Sequence, residues 1–218
     1  MTPDELELIL AAERLFAGRG IRAVTIDEIL EEARGEASGA AELSKNELVE
    51  AISARHLERL ASQWQAELDE LATEDCQPTE ILAAWLRPLV ASVDDDAGSR
   101  WIRIAASMST HPTYQLGDRP IMSSPAMARV LGLLVQTITR PPGRLIDARL
   151  HRAGATIYQS LAFRIRAERQ GVARLPRELF VADLLDTVLA ILAAPVSEST
   201  QALLDQCGTE RDAADGGR

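Results

Sequence analysis

Three times within its first fifty residues the chain repeats one local pattern, a hydroxyl residue followed three positions later by glutamate: Thr2-Pro3-Asp4-Glu5, Thr25-Ile26-Asp27-Glu28 and Ser44-Lys45-Asn46-Glu47. In each, the hydroxyl can accept from the third amide while the glutamate reaches back to the cap, and Pro3 falls at a first helical position. Helix starts this close together imply three helices packed in sequence with short connections. Strand signals are nearly absent, with no Asn-Gly or Asp-Gly turn between strand-like runs and no long alternation of β-branched residues. The expected fold class is therefore all-α.

Apolar spacing extends this reading along the chain. A first helix is expected over Pro3–Ala17, ended by Gly18-Arg19-Gly20, and a second over Ile26–Ala33. A weak third segment is expected over Glu36–Leu43, then a long helix from Lys45 to about Leu71. After the loop 74–78, a helix over Thr79–Val93 carries Pro88, which predicts a kink or an end there. Asp94-Asp95-Asp96 separates it from Ser99–Met108, and His111–Pro125 is the least regular stretch. Helices over Ala126–Ile138, Leu145–Gln170 and Arg177–Ala193 follow, and the tail after Cys207 reads as disordered. The architecture expected is a three-helix helix-turn-helix head over 1–46, a larger helical ligand-binding and dimerisation body over 47–208, and a tail over 209–218.

Several function classes lose support on the same page. There is no GxSxG elbow, no GxxxxGK[ST] phosphate loop, no GxGxxG after a strand and no HExxH. Cys76 and Cys207 are far apart and have no CxxC partner, so neither a zinc site nor a disulfide is expected. His56 and His151 have no visible partner and read as surface or interface residues. No enzyme activity, metal or cofactor is expected. No run approaches the roughly 18 apolar residues of a membrane span, and the acidic N-terminus lacks the features of a signal peptide. The cytoplasm is the expected compartment.

Residues 9–33, ILAAERLFAGRGIRAVTIDEILEEA, combine an Ala-rich helix ending in Leu-Phe, a Gly turn and a Thr that opens the next helix. With Ser44-Lys45-Asn46-Glu47-Leu48, this stretch resembles the opening of tetracycline-repressor (TetR) family regulators; the remainder resembles them only in layout. The resemblance implies a helix-turn-helix whose second helix enters the major groove. The DNA-contacting candidates are Thr25, Arg34, Gly35, Ser38, Ser44 and Lys45. The chain departs from the family pattern at Leu30, where a small residue is usual, and at the turn Arg34-Gly35-Glu36. The recognition segment Ala37–Leu43 also lacks any Arg, Lys, Asn or Gln to pair with base edges.

Charge opposes nucleic acid overall. The formal net charge is −10, and residues 25–50 hold two basic against eight acidic side chains. Residues 140–169 reverse this, with seven arginines against Asp147 and Glu168. Those arginines either form a basic stripe for an acidic partner or flank an apolar interface.

The implied body holds an apolar effector between helices. Its candidate lining is Trp85, Trp101, Arg103, Met108, His111, Tyr114, Met127 and Tyr158, although aromatics and Met at helical spacing also fill ordinary cores. Ile157, Leu161, Ile165, Leu184, Val188 and Leu192 are candidates for a dimer seam. The function expected is a dimeric, small-molecule-responsive repressor that binds double-stranded DNA. The alternative is an interaction protein of the same fold that has lost specific DNA binding.

Overall fold

The computed structural model describes residues 2–33, 43–71, 76–111, 125–138, 143–172 and 175–215, with the backbone alone at 143–144 and 208–215. Among them are nine α-helices and no strand: α1 (Pro3–Arg19), α2 (Ile26–Glu32), α3 (Lys45–Asp69), α4 (Pro78–Ala91), α5 (Asp96–Ser109), α6 (Pro125–Thr137), α7 (Gly143–Arg169), α8 (Arg177–Ala193) and α9 (Glu198–Asp215). The all-α class is as expected.

All three capping boxes form. Thr2, Thr25 and Ser44 each accept from the third amide of their helix, and Glu5, Glu28 and Glu47 return to the cap amides. Helix α1 ends where Gly20, at φ 85°, donates its N–H back to the Phe16 carbonyl, a backbone angle that favours glycine. The acidic trio is more than a spacer, because Asp95 caps α5 through a 2.6 Å bond from the Gly98 amide. Pro88 does not end α4. The helix runs three residues past it into a 3-10 turn over Ser92–Asp94, and the Pro88 carbonyl accepts from Ser92 Oγ at 2.8 Å.

Helix α5 is the centre of the architecture, packing on α1, α3 and α7. Helices α3, α4 and α6 pack on one another; α4 also meets α8, which lies along α7. The head helices α1 and α2 join this body through α1 and through α3, which runs unbroken across the expected boundary at residue 46. Trp64 and Trp101 are the largest fully buried side chains. The Trp64 indole N–H donates to the Trp85 carbonyl at 2.8 Å, tying α3 to α4.

Three expectations are corrected. Leu30, which the apolar spacing of the second helix places on its buried face with Ile26 and Ile29, is 38% exposed, whereas Ala33 at the end of α2 is buried. His56 is buried and paired rather than superficial. The disorder expected after Cys207 is corrected through residue 215, because helix α9, capped where the Thr200 amide meets Ser197 Oγ at 3.3 Å, continues to Asp215. Gln, Ala and Leu favour that helix, and the polar end of the sequence masked it. The weak segment expected over Glu36–Leu43 lies, but for Leu43, outside the described residues.

Candidate functional site

The DNA-facing candidates divide into two groups. Arg34, Gly35 and Ser38 lie outside the described residues. Thr25 and Ser44 open α2 and α3, but their hydroxyls are already engaged. Thr25 Oγ1 donates to Glu28 Oε2 at 3.1 Å and Ser44 Oγ to Glu47 Oε2 at 2.7 Å. Hydrogen bonds from Thr25 and the guanidinium of Arg19 hold the Glu28 carboxyl below its ordinary range, and those from Ser44 do so for Glu47. Both helix N-termini, which would otherwise attract an anion, therefore carry an ionised carboxylate.

Cations gather close by. Lys45 stands at the first position of α3, and Arg22 is exposed in the 3-10 turn after α1. Both lie within electrostatic reach of His111 at the end of α5. Desolvation, followed by the charges of Arg22 and Lys45, lowers the His111 pKa. His111, expected in the effector pocket, instead lies within the electrostatic influence of these two cations, which disfavour its protonated form. Sequence reasoning missed Arg22; its signal was a lone arginine two residues beyond the Gly20 turn.

Arg103 is also not a pocket residue. Its Nη1 donates to the Ala17 carbonyl at 2.9 Å, and its Nε to Ser99 O at 3.3 Å. Ala17 O is one of the carbonyls that the end of α1 leaves without a helical partner. Tyr114 lies outside the described residues. Trp85, Trp101, Met108, Met127 and Tyr158 are all buried core residues, and burial pushes the Tyr158 pKa up. Among the described residues the buried indole N–H groups of Trp85 and Trp101 have no hydrogen-bond acceptor, a costly arrangement that an acceptor would relieve.

A small cleft opens between α4, α7 and α8, lined by Val90, Asp94, Leu161, Arg164, Arg177 and Phe180. Its volume of about 20 Å³ fits a single water. Its arginines are engaged: Arg177 Nη1 holds both Asp94 oxygens at 2.8 and 2.7 Å, and Arg164 lies 4.9 Å over the Phe180 ring.

Ile157, Leu161, Ile165, Leu184, Val188 and Leu192 are 0–4% exposed, and they pack into this chain's own core. The expectation that they face a second copy is corrected, because the apolar stripes of α7 and α8 close on each other and on α4 and α5. Among the described residues, the large apolar side chains left exposed on α7, α8 and the stretch between them are Phe163 (66%), Val172 (52%), Leu175 (49%) and Leu179 (53%). The arginine-rich stretch is likewise divided. Arg149 is buried and donates to the Leu192 carbonyl at 3.1 Å, whereas Arg152, Arg166 and Arg169 are exposed.

Among the described residues no helix is long and apolar enough by itself to cross a membrane, and no group of His, Cys, Asp and Glu is arranged to hold a metal. No family model matches the chain, and no curated protein matches it either.

Proposed function

We propose that this chain is a dimeric, TetR-like, DNA-binding regulator of transcription that acts as a repressor relieved by a small apolar effector. The observation that carries the reading is the pair of cations Arg22 and Lys45, both close enough to His111 to disfavour its protonation, beside the first turn of α3 in an otherwise acidic head. Phosphates are met by such local cations whatever the total charge, and base edges are read separately by the segment between α2 and α3. The effector contacts the body core, and a hydrogen-bond acceptor on its otherwise apolar frame meets the Trp85 or Trp101 indole N–H. It favours a conformation in which the two heads are wrongly spaced for adjacent major grooves. The exposed apolar residues Phe163, Leu175 and Leu179 belong to the dimer contact.

The test is an unbiased oligonucleotide selection with purified protein at moderate salt. Enrichment of a two-fold symmetric site supports the reading; no sequence preference overturns it. A second reading, an interaction protein without operator binding, is favoured by one observation: the carboxylates of Glu28 and Glu47 occupy the helix ends a phosphate would approach. Under that reading the dimer persists and DNA binding is absent or purely salt-labile.

A further inference from the structure

Glu13 lies in the middle of α1 and is 2% exposed. A carboxylate at that depth is tolerated only with charged or hydrogen-bonding partners, and it has three. Arg100 Nε reaches its Oε1 at 3.0 Å, His56 Nε2 its Oε2 at 3.2 Å, and Arg55 Nη1 the same oxygen at 3.6 Å. Arg55 and His56 come from α3, and Arg100 from α5. Among the described residues, the other acid paired with one of these groups is Asp96, 3.9 Å from Arg100 Nη1 and 88% exposed. An ionised carboxylate only accepts, so His56 Nε2 carries the hydrogen in this contact. The His56 ring in turn lies flat against Trp101, centroids 5.3 Å apart and planes 8° from parallel.

One turn further along α1, the grip repeats. Arg103, one turn beyond Arg100 on α5, donates to the Ala17 carbonyl. Apolar packing would hold α1 against α5 at many registers, because alanines such as Ala12, Ala105 and Ala106 offer little relief. Two arginines meeting one buried carboxylate and one helix-end carbonyl permit a single register, the use for which buried ion pairs are best attested.

We infer that Glu13 is a charge-dependent latch that locks α1, and with it the head, onto α5, so that neutralising this one carboxylate frees the head while the body stays folded. In the regulator proposed above the latch is the joint through which the body sets the angle of the head, but it stands without that reading. Without its negative charge, the buried His56 and the partly exposed Arg55 and Arg100 face a neutral side chain that is itself 2% exposed. The least costly relief is for α1 to lift, since α5 is held independently by α7.

Hydrogen exchange of the full chain tests this, with Glu13→Gln and His56→Phe beside the parent. Glu13→Gln is expected to lower protection at least tenfold over residues 3–19 and 26–32, with α7 unchanged. His56→Phe keeps a ring against Trp101 and loses one of three contacts, so it produces a smaller loss in the same segments. Unchanged protection of α1 in Glu13→Gln, or equal loss in α1 and α7, overturns the latch. If Glu13→Gln does not fold, the same contrast between α1 and α7 in His56→Phe decides. An oligonucleotide selection that fails while this contrast holds removes the regulator and leaves the latch.

Discussion

Two glycines in helices should respond to the same substitution with opposite sign. Gly98 sits in the first turn of α5, where an added Cβ would lie 2.3 Å from the Ser92 carbonyl oxygen, 2.7 Å from Ser92 Cβ and 2.9 Å from Ser92 C. Two of these are backbone atoms of a turn that is itself fixed by Asp95 and Ser92 hydrogen bonds, so the neighbour cannot rotate away. Alanine gains about 1 kcal/mol over glycine in a helix interior, and less near an end. Against this, forced overpacking costs about 1–3 kcal/mol, and a 2.3 Å approach to backbone belongs at the upper end. Gly98→Ala is therefore expected to lose about 1–2 kcal/mol net. Gly132, inside α6, has nothing within 4 Å of the same Cβ. Gly132→Ala is expected to gain up to about 1 kcal/mol, from helix propensity and reduced freedom of the unfolded chain. Urea unfolding of the three proteins measures both, and a chain of this size should shift Tm by about 2–4 °C per kcal/mol. Gly98→Ala unfolding at or above the parent's urea midpoint refutes the claim that α5 is seated by close contact with the 92–94 turn.

Further outcomes follow from other parts of the molecule. Burial by itself pushes the Glu13 pKa up, but hydrogen bonds from His56 and Arg100 outweigh it and hold the carboxyl below its ordinary 4.5. Its stabilisation is thus fully present above that value and lost as pH falls through the lower folded one; Tm against pH should drop more steeply below about 4.5 in the parent than in Glu13→Gln. Lys45→Ala and Arg22→Ala should each weaken binding to any duplex about equally, and reduce the slope of log affinity against log salt by roughly one, as read by fluorescence anisotropy. On the dimer proposed above, Phe163→Glu should yield monomer in sedimentation without unfolding the chain, whereas Leu161→Ala, in the core, should cost about 2–5 kcal/mol of stability. A Phe163→Glu dimer of parental affinity excludes this face as the contact.

Helix starts were legible wherever a side chain caps its own backbone, because Thr2, Thr25 and Ser44 need nothing beyond three residues to declare themselves. Helix α8 was legible to the residue from its apolar run. What lay beyond reach was the direction in which each stripe faces. Leu184, Val188 and Leu192 satisfy equally well a seam between two copies and a seam within one, and only the path of α7 and α4 decides between them. Pairings across long sequence separations were hidden for the same reason. Nothing near His56 announces that Glu13, forty-three residues earlier, is its partner, and nothing near Arg103 announces the end of α1. Arg103 shares the sequence neighbourhood of the α5 aromatics, yet it turns to the end of α1 at the Ala17 carbonyl.

In the regulator proposed above, the side chains nearest the duplex, and not the total charge, set the character of the docking face. At about 0.1 M salt the Debye length is about 10 Å, so most of the −10 net charge is screened from a duplex docked at the start of α3, and the nearest side chains dominate. Those are Arg22 and Lys45 on one side, Glu28 and Glu47 on the other. The two carboxylates are already partly neutralised by the cap amides and by Arg19, 2.8 Å from Glu28, while Arg22 and Lys45 have no acid of their own among the described residues. The local balance therefore favours a phosphate only at contact range. Lowering salt should lengthen the reach of the surrounding acids and slow association, the reverse of the usual acceleration for a basic DNA-binding protein. Stopped-flow association rates at 50 and 200 mM salt decide it: a rate that rises as salt falls means that the docking face is more basic than the arrangement of these four side chains allows.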